Sequence, residues 1–309
     1  MANKAGDLSD VAVVGTGFAG LSTAIGLRRH RLSTIAFDGG PVRNEQASEV
    51  HGYLGAAGLP AKELRDRGRT QAIELGAQIV EAQIEQVERT GEVFMLRDVQ
   101  GRTYGARRLV LATGVVDQLP EIAGLGSFFG RSVHVCPHCD AYEWRDRPIA
   151  IIGDTAELRD FAIKLSHWSA RVTVVGDNRP TRVEESDRTI LAVHGIGVIE
   201  TGIDRLEGED GQLSAIRFLD GEVLAVDAAF CHADQTYRTE LAEALGCKLT
   251  EAGAIEVDDE GHASAEGVWA VGDVAGDSQF VSVAVAHGIK AAADIYRTLA
   301  ETDPDTKEP

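Results

Sequence analysis

Val11-Ala12-Val13-Val14-Gly15-Thr16-Gly17-Phe18-Ala19-Gly20 is the stretch that decides the fold class. Its first four residues are an apolar run of the kind buried in a parallel sheet, the glycines make a tight turn, and the pattern through about Arg29 is helical. In a dinucleotide site the first glycine makes the turn, the second lets backbone approach a pyrophosphate, and the third lets helix pack on strand. The helix N-terminus then faces the anion. A glycine turn alone also occurs without any ligand, so the next strand carries weight. Residues 33–37 read as that strand and end in Asp38, an acid about twenty residues after the glycines, where a ribose diol would be held.

Downstream of Asp38 runs a long loop, 39–58, bearing Gly, Pro and Asn, and Pro60 then opens a charged helix to about Leu75. Residues 78–87, 93–98 and 108–113 read as strands of a meander ending at Thr113-Gly114, and 115–126, with Pro120, as a crossing between domains. A second strand-glycine-helix unit starts at 148–152 with Gly153, continues as helix to about Trp168 and ends in a strand at 171–175. Its rhythm is that of a nucleotide fold, but its chemistry is damaged. With Gly153 as first glycine, the second falls on Thr155 and the third on Leu158, which blocks backbone approach and pushes the helix off the strand. A 2′-phosphate after this strand would need arginines; Asp177-Asn178 stands there, with only Arg179 and Arg182 following. Near the end, Gly267-Val-Trp-Ala-Val271-Gly272-Asp273 reads as a strand delivering an acid, either to a ribityl chain or as a helix N-cap. Gln279-Phe280 and a long apolar helix over 281–299 follow, and the polar tail 301–309 is expected to lack order.

Between the two units lies Cys136-Pro137-His138-Cys139-Asp140. Two thiols at this spacing can close a small ring and reopen it, so the pair can carry two electrons. Half of a zinc site, a static disulfide or buried structural thiols also fit the spacing. Zinc would want a second Cys/His pair, and Cys231 and Cys247 are distant from each other and from the pair. Asp140 is a candidate base, and His138 or His134 could favour a thiolate, though solvated histidines fit equally.

The 309 residues are enough for two domains, and 44% apolar with 26% charged content is ordinary for globular protein. Residues 1–10 show no basic region followed by an apolar one, and no apolar run approaches bilayer length, so a cytoplasmic location with reduced thiols is expected. A net charge of −19 repels phosphate backbones and anionic lipid, which argues against nucleic-acid and membrane partners. It also argues mildly against an acidic protein such as a ferredoxin as partner.

Taken in order, GTGFAG, LATG, CPHCD and VGDV resemble the low-molecular-weight thioredoxin reductase family over essentially the whole chain. The resemblance implies an α/β fold of two Rossmann-like, three-layer ββα domains, the second inserted in the first. Residues 1–117 and 248–309 would bind FAD, and 118–247 would form an NAD(P)H-binding-like domain carrying the CxxC. Gly15, Gly17, Phe18, Ala19, Gly20 and Asp38 would hold the ADP part of FAD. Asn44, Thr113 and Gly114 would lie near the cofactor, Gly272 and Asp273 at its ribityl chain, and Gln279 near the isoalloxazine. Cys139 would face the flavin, Cys136 would exchange with substrate, and Asp140, with His138 beside it, would move the proton. No metal is implied, and a homodimer is.

The family's G-x-G-x-x-A turn is lost at Gly153-Asp-Thr155-Ala-Glu-Leu158, and of its H-R-R-x-x-x-R segment only Arg182 survives. In this the chain resembles the flavin dithiol oxidases that close disulfides in gliotoxin- and holomycin-like products, as does its loop over 38–52. Those oxidases usually follow the second cysteine with histidine, whereas Asp140 keeps the reductase's acid. The expectation is an FAD-dependent dithiol oxidase acting on a small dithiol or a thioredoxin-like protein, with oxygen as acceptor, NADPH binding lost and NADH weak at best. An NAD(P)H-dependent disulfide reductase and a flavin-bound redox sensor without turnover are the alternatives.

Overall fold

A computed structural model describes residues 8–154, 157–178 and 183–302. The chain begins with β1 (Ser9–Val14), α1 (Phe18–Arg29), β2 (Thr34–Asp38), α2 (Ala61–Glu74), β3 (Gln78–Glu81), β4 (Ile84–Thr90), β5 (Val93–Asp98), β6 (Thr103–Leu111) and β7 (Val115–Asp117). Its middle forms α3 (Leu125–Phe128), β8 (Val133–His134), α4 (Pro137–Asp140), β9 (Ile149–Ile152), α5 (Leu158–Leu165), β10 (Val172–Val175), α6 (Glu185–Val193), β11 (Gly197–Ile199), β12 (Ile203–Glu209), β13 (Gln212–Phe218), β14 (Val223–Ala225) and β15 (Ala228–Cys231). It closes with β16 (Gln235–Tyr237), α7 (Glu240–Ala244), β17 (Val268–Ala270), a 3₁₀ turn (Gly272–Ala275) and α8 (Val281–Thr302).

The first compact unit comprises the described residues of Met1–Glu45, Lys62–Val116 and Thr236–Pro309. Its sheet runs β3-β2-β1-β6, with β17 also on β6, all parallel; β5 and β4 continue from β6 as an antiparallel meander. Alternation along β1 explains its unbroken apolar run. Val11 and Val13 pack on one face against Leu27, Ala291 and Ile295, while Ala12 and Val14 face Phe94, Leu96 and Leu109. A parallel strand covered on both sides has no solvent face to mark with polar residues. Burial of Leu27 or Ile295 contributes roughly 1.5–3 kcal/mol each relative to exposure. Among the hydrogen bonds that fasten α8, the Ser22 hydroxyl donates to the Val285 carbonyl at 2.7 Å, and the Trp269 indole to the buried Asp294 carboxylate at 3.2 Å. The sequence suggested one strand over 78–87; the structure divides it. Residues 78–81 extend the parallel sheet beside β2, and only β4 joins the meander.

The second unit comprises Gln46–Ala61 and Asp117–Gln235. Its parallel sheet runs β11-β10-β9-β15-β8, and its three-stranded antiparallel sheet β12-β13-β14. Ile149 and Ile151 pack with α5 and α6 residues, Ala150 and Ile152 with Ile203, Leu213 and Ile216. Each unit therefore has the same three layers: helices, a parallel sheet and an antiparallel meander. The sequence drew the domain boundaries at 117/118 and 247/248. By contacts, 236–247 groups with the first unit, because Leu241 and Ala242 enter the core of its sheet. Residues 46–61 group with the second, where the Ser48 N–H donates to the Gly130 carbonyl at 2.9 Å. Thr155, Arg179 and Arg182 of the second nucleotide turn, and the tail beyond 302, lie outside the described residues. Among the described residues, no helix is long and apolar enough to cross a membrane.

Candidate active site

Four parallel strands of the first unit end side by side and deliver Gly15, Asp38, Thr113 and Asp273 to one edge, the carboxyl edge where open α/β sheets bind ligands. Gly15 has φ +106°, and a Cβ there would sit 2.2 Å from the Ala112 carbonyl oxygen; one at Gly20 would sit 1.9 Å from the Gly15 oxygen. Both must be glycine for the turn to close. Gly17 differs: the nearest atom to a Cβ there is Val42 Cγ1 at 3.9 Å. The protein itself leaves room at this position, in front of the N-terminus of the 12-residue α1, which suits an anion. Phe18 is half-buried and Ala19 buried in the first turn of α1.

Around this turn the side chains converge. The Asp38 carboxylate accepts from Arg65 at 2.7 Å and Arg69 at 2.8 Å, and Arg65 also donates to the Thr16 carbonyl and hydroxyl at 3.1 and 3.0 Å. Sequence reading missed both arginines; their i,i+4 spacing on α2 was the available signal. Arg43 donates through Nη1 to Asp273 at 3.0 Å and to the Gln279 side-chain oxygen at 2.5 Å, so it gathers two of the expected cofactor residues. The Asp273 carboxylate is thus engaged by Arg43. Gly272, at φ +75°, brings this acid's turn against Ala19. The Thr113 hydroxyl donates to the Arg238 carbonyl at 2.7 Å, and Gly114 accepts from the Arg238 N–H at 3.1 Å. Asn44 is half-buried in the turn beside Arg43. Room at Gly17, carboxylates at two strand ends and a helix N-terminus fit the pyrophosphate, ribose and ribityl parts of FAD.

In the second unit, β8 runs into Cys136, which caps α4 and is joined to Cys139 in a disulfide with Cα atoms 5.3 Å apart. Pro137, at the first helical turn, has no N–H to leave unsatisfied. The Cys139 N–H points at Cys136 Sγ from 3.1 Å, a donor that favours a thiolate on Cys136 once the bond opens. Asp140 Oδ2 lies 3.4 Å from His134 Nδ1, and His134 Nε2 accepts from the Trp144 indole N–H at 2.9 Å. Of the two histidines raised by the sequence, His134 is buried and joins Asp140. His138 is exposed, its ring edge-on to Trp168 at 6.0 Å between centroids. A cavity of about 190 Å³ opens beside Asp140 and His134, lined also by Trp144, Glu143, His51 and Arg131. Burial pushes the Cys231 thiol up to about 12 and raises that of Cys247, so both stay protonated and unreactive at neutral pH.

At the second nucleotide turn, Leu158 is 2% exposed and its Cδ1 lies 3.1 Å from where a Cβ on Gly153 would be. This side chain sits against the strand end where a dinucleotide turn needs a small residue. Asp177 is also buried, and its backbone carbonyl accepts from the Ile203 N–H at 2.7 Å. Beside Gly153, burial holds the His232 imidazole below its ordinary range.

The arrangement is similar to that of known disulfide oxidoreductases. The family described as pyridine nucleotide-disulphide oxidoreductase matches residues 9–288. The thioredoxin reductase tcpT of Claviceps purpurea is 29% identical over 86% of this chain and 87% of its own length. The crystal structure of HlmI superposes with a TM-score of 0.91 at 31% identity, covering 96% of this chain and 94% of that one. That of a putative thioredoxin reductase, TrxB, from Bacillus anthracis gives 0.88 at 26%, covering 95% and 99%. The chain belongs to the pyridine nucleotide-disulphide oxidoreductase family, as a thioredoxin reductase-like flavoprotein with a CxxC disulfide at Cys136–Cys139.

Proposed function

We propose that this chain is an FAD-dependent dithiol oxidase, which closes a disulfide in a small dithiol or a thioredoxin-like protein and passes the electrons to oxygen. The observation that carries this reading is the contrast between the two nucleotide turns. The first has open room at Gly17; the second has Leu158 packed against Gly153 and Asp177 after the following strand. Asp177 repels the 2′-phosphate of NADPH, and NADH is at best a weak ligand.

A substrate thiolate attacks Cys136 Sγ, the Cys136–Cys139 bond breaks, and Cys139 leaves as a thiolate. The second substrate thiol then attacks the substrate sulfur of the mixed disulfide, which forms the product disulfide and frees Cys136. Asp140 accepts a thiol proton during this exchange and returns it, and His138, beside the pair, favours thiolate when protonated. FAD, when bound, would supply the two-electron acceptor for the resulting dithiol and the outlet of those electrons to oxygen, as hydrogen peroxide. The Gly15 to Gly20 turn and Asp38 would hold its adenosine diphosphate, Asn44, Thr113 and Gly114 would border it, and Asp273, Gln279 and Arg43 would hold its remainder. The enzyme works as a cytoplasmic homodimer without metal, and its charge of −19 keeps it from nucleic acid and membranes.

The names of the relatives favour a second reading, a nicotinamide-dependent thioredoxin reductase. Oxygen uptake with dithiothreitol and no nicotinamide separates the two. The oxidase should consume oxygen and release one peroxide per disulfide formed. Absence of uptake, together with NADPH-driven reduction of thioredoxin, would replace the oxidase by the reductase.

A further inference from the structure

We infer that His134 is a positioning residue for Asp140, locked by Trp144 in the tautomer that carries its proton on Nδ1. The indole N–H of Trp144 can only donate. Trp144 Nε1 lies 2.9 Å from His134 Nε2, so that ring nitrogen must offer a lone pair. An imidazolium, or the other neutral tautomer, would set N–H against N–H. The ring proton is therefore on Nδ1, which faces Asp140 Oδ2 at 3.4 Å.

The surroundings keep the ring in place. His134 is 8% exposed on β8, beside Phe230 of β15, with ring centroids 5.4 Å apart. Asp140 follows Cys139 directly and opens to the same cavity, which Glu143, His51 and Arg131 also line. Trp144, His134 and Asp140 thus form a chain from a half-buried anchor to the group that handles the thiol proton. The Nδ1–H, 3.4 Å from one carboxylate oxygen, biases the rotamer of Asp140 and leaves its other oxygen to take a proton from an attacking thiol. The same oxygen returns that proton to the departing thiolate. No charge is added to the site, as an imidazolium would add.

This rests on the thiol exchange proposed above, and its test is built so that the two can fail separately. The holoenzyme, labelled with ¹⁵N-histidine, should show the His134 ring, assigned through its loss in His134→Asn, with Nδ1 protonated and Nε2 bare. Reduction of Cys136–Cys139 by dithiothreitol is followed anaerobically by alkylation and mass. His134→Phe, which keeps an aromatic ring but no donor, should slow it by about tenfold to a hundredfold. His134→Asn, whose amide can place N–H near the position of Nδ1, should retain most of the rate. Equal impairment of both variants, wild-type speed in His134→Phe, or a proton on Nε2 would each overturn the inference. A wild-type disulfide inert to dithiols would instead overturn the exchange chemistry on which the role depends.

Discussion

Cys139→Ser is expected to stop dithiol-driven oxygen uptake, by on the order of a thousandfold or more, because serine can neither form nor release the bond to Cys136. Cys136→Ser should be as inactive, but the two variants should differ in what they trap. In Cys139→Ser the remaining Cys136 thiol keeps a backbone N–H directed at its sulfur and lacks the neighbour that would resolve an adduct. Incubation with cystamine should leave a stable mixed disulfide there, read by intact mass. Cys231 and Cys247 should stay unlabelled, since burial raises both thiols far above neutral pH. Turnover near the wild-type rate in either variant would exclude the two-cysteine relay.

Gly17→Ala and Gly20→Ala are expected to separate cofactor binding from folding. At Gly20 the new methyl would meet the Gly15 carbonyl at 1.9 Å, where only backbone can give way. Overpacking of this kind costs roughly 1–3 kcal/mol, so Gly20→Ala should both melt earlier and purify without colour. At Gly17 the methyl meets no protein atom closer than 3.9 Å, so the ligand-free protein should melt as the wild type does. Its methyl would stand where a pyrophosphate touches backbone, and FAD affinity, titrated by fluorescence, should fall by on the order of tenfold or more. Unchanged FAD affinity in Gly17→Ala would place the cofactor elsewhere.

Legibility in the sequence followed the range of the interactions. The 11–20 stretch announced itself because a buried strand, a tight turn and a helix N-terminus are local demands on neighbouring residues. The ends of β2 and β17 could be read for the same reason. Arg65 and Arg69 were not seen because α2 returns to Asp38 only after a long loop, and nothing in the loop says which helical face arrives. The join of His134 to Trp144 depends on how α4 and the turns after it fold back, so His134 and His138 looked equivalent. Residues 78–87 read as one strand because Ala82 and Ile84 are both apolar; the change of partner at 82–83 is a property of the sheet.

Electrons are expected to enter from a dithiol and not from a nicotinamide. Asp177-Asn178 stands where the resemblance puts paired arginines against a 2′-phosphate, and each missing charge-assisted bond is worth roughly 1.5–3 kcal/mol, so losing two is expected to weaken NADPH by about a hundredfold or more. Asp177→Arg alone should not rescue it, because Leu158 still occupies the turn at Gly153. Anaerobic stopped-flow mixing of the FAD-loaded protein with dithiothreitol, NADPH and NADH in turn, watching the flavin absorbance, tests this most directly. Fast bleaching by the dithiol, with slow or no bleaching by either nicotinamide, is the expected result. Rapid, saturable bleaching by micromolar NADPH would contradict it.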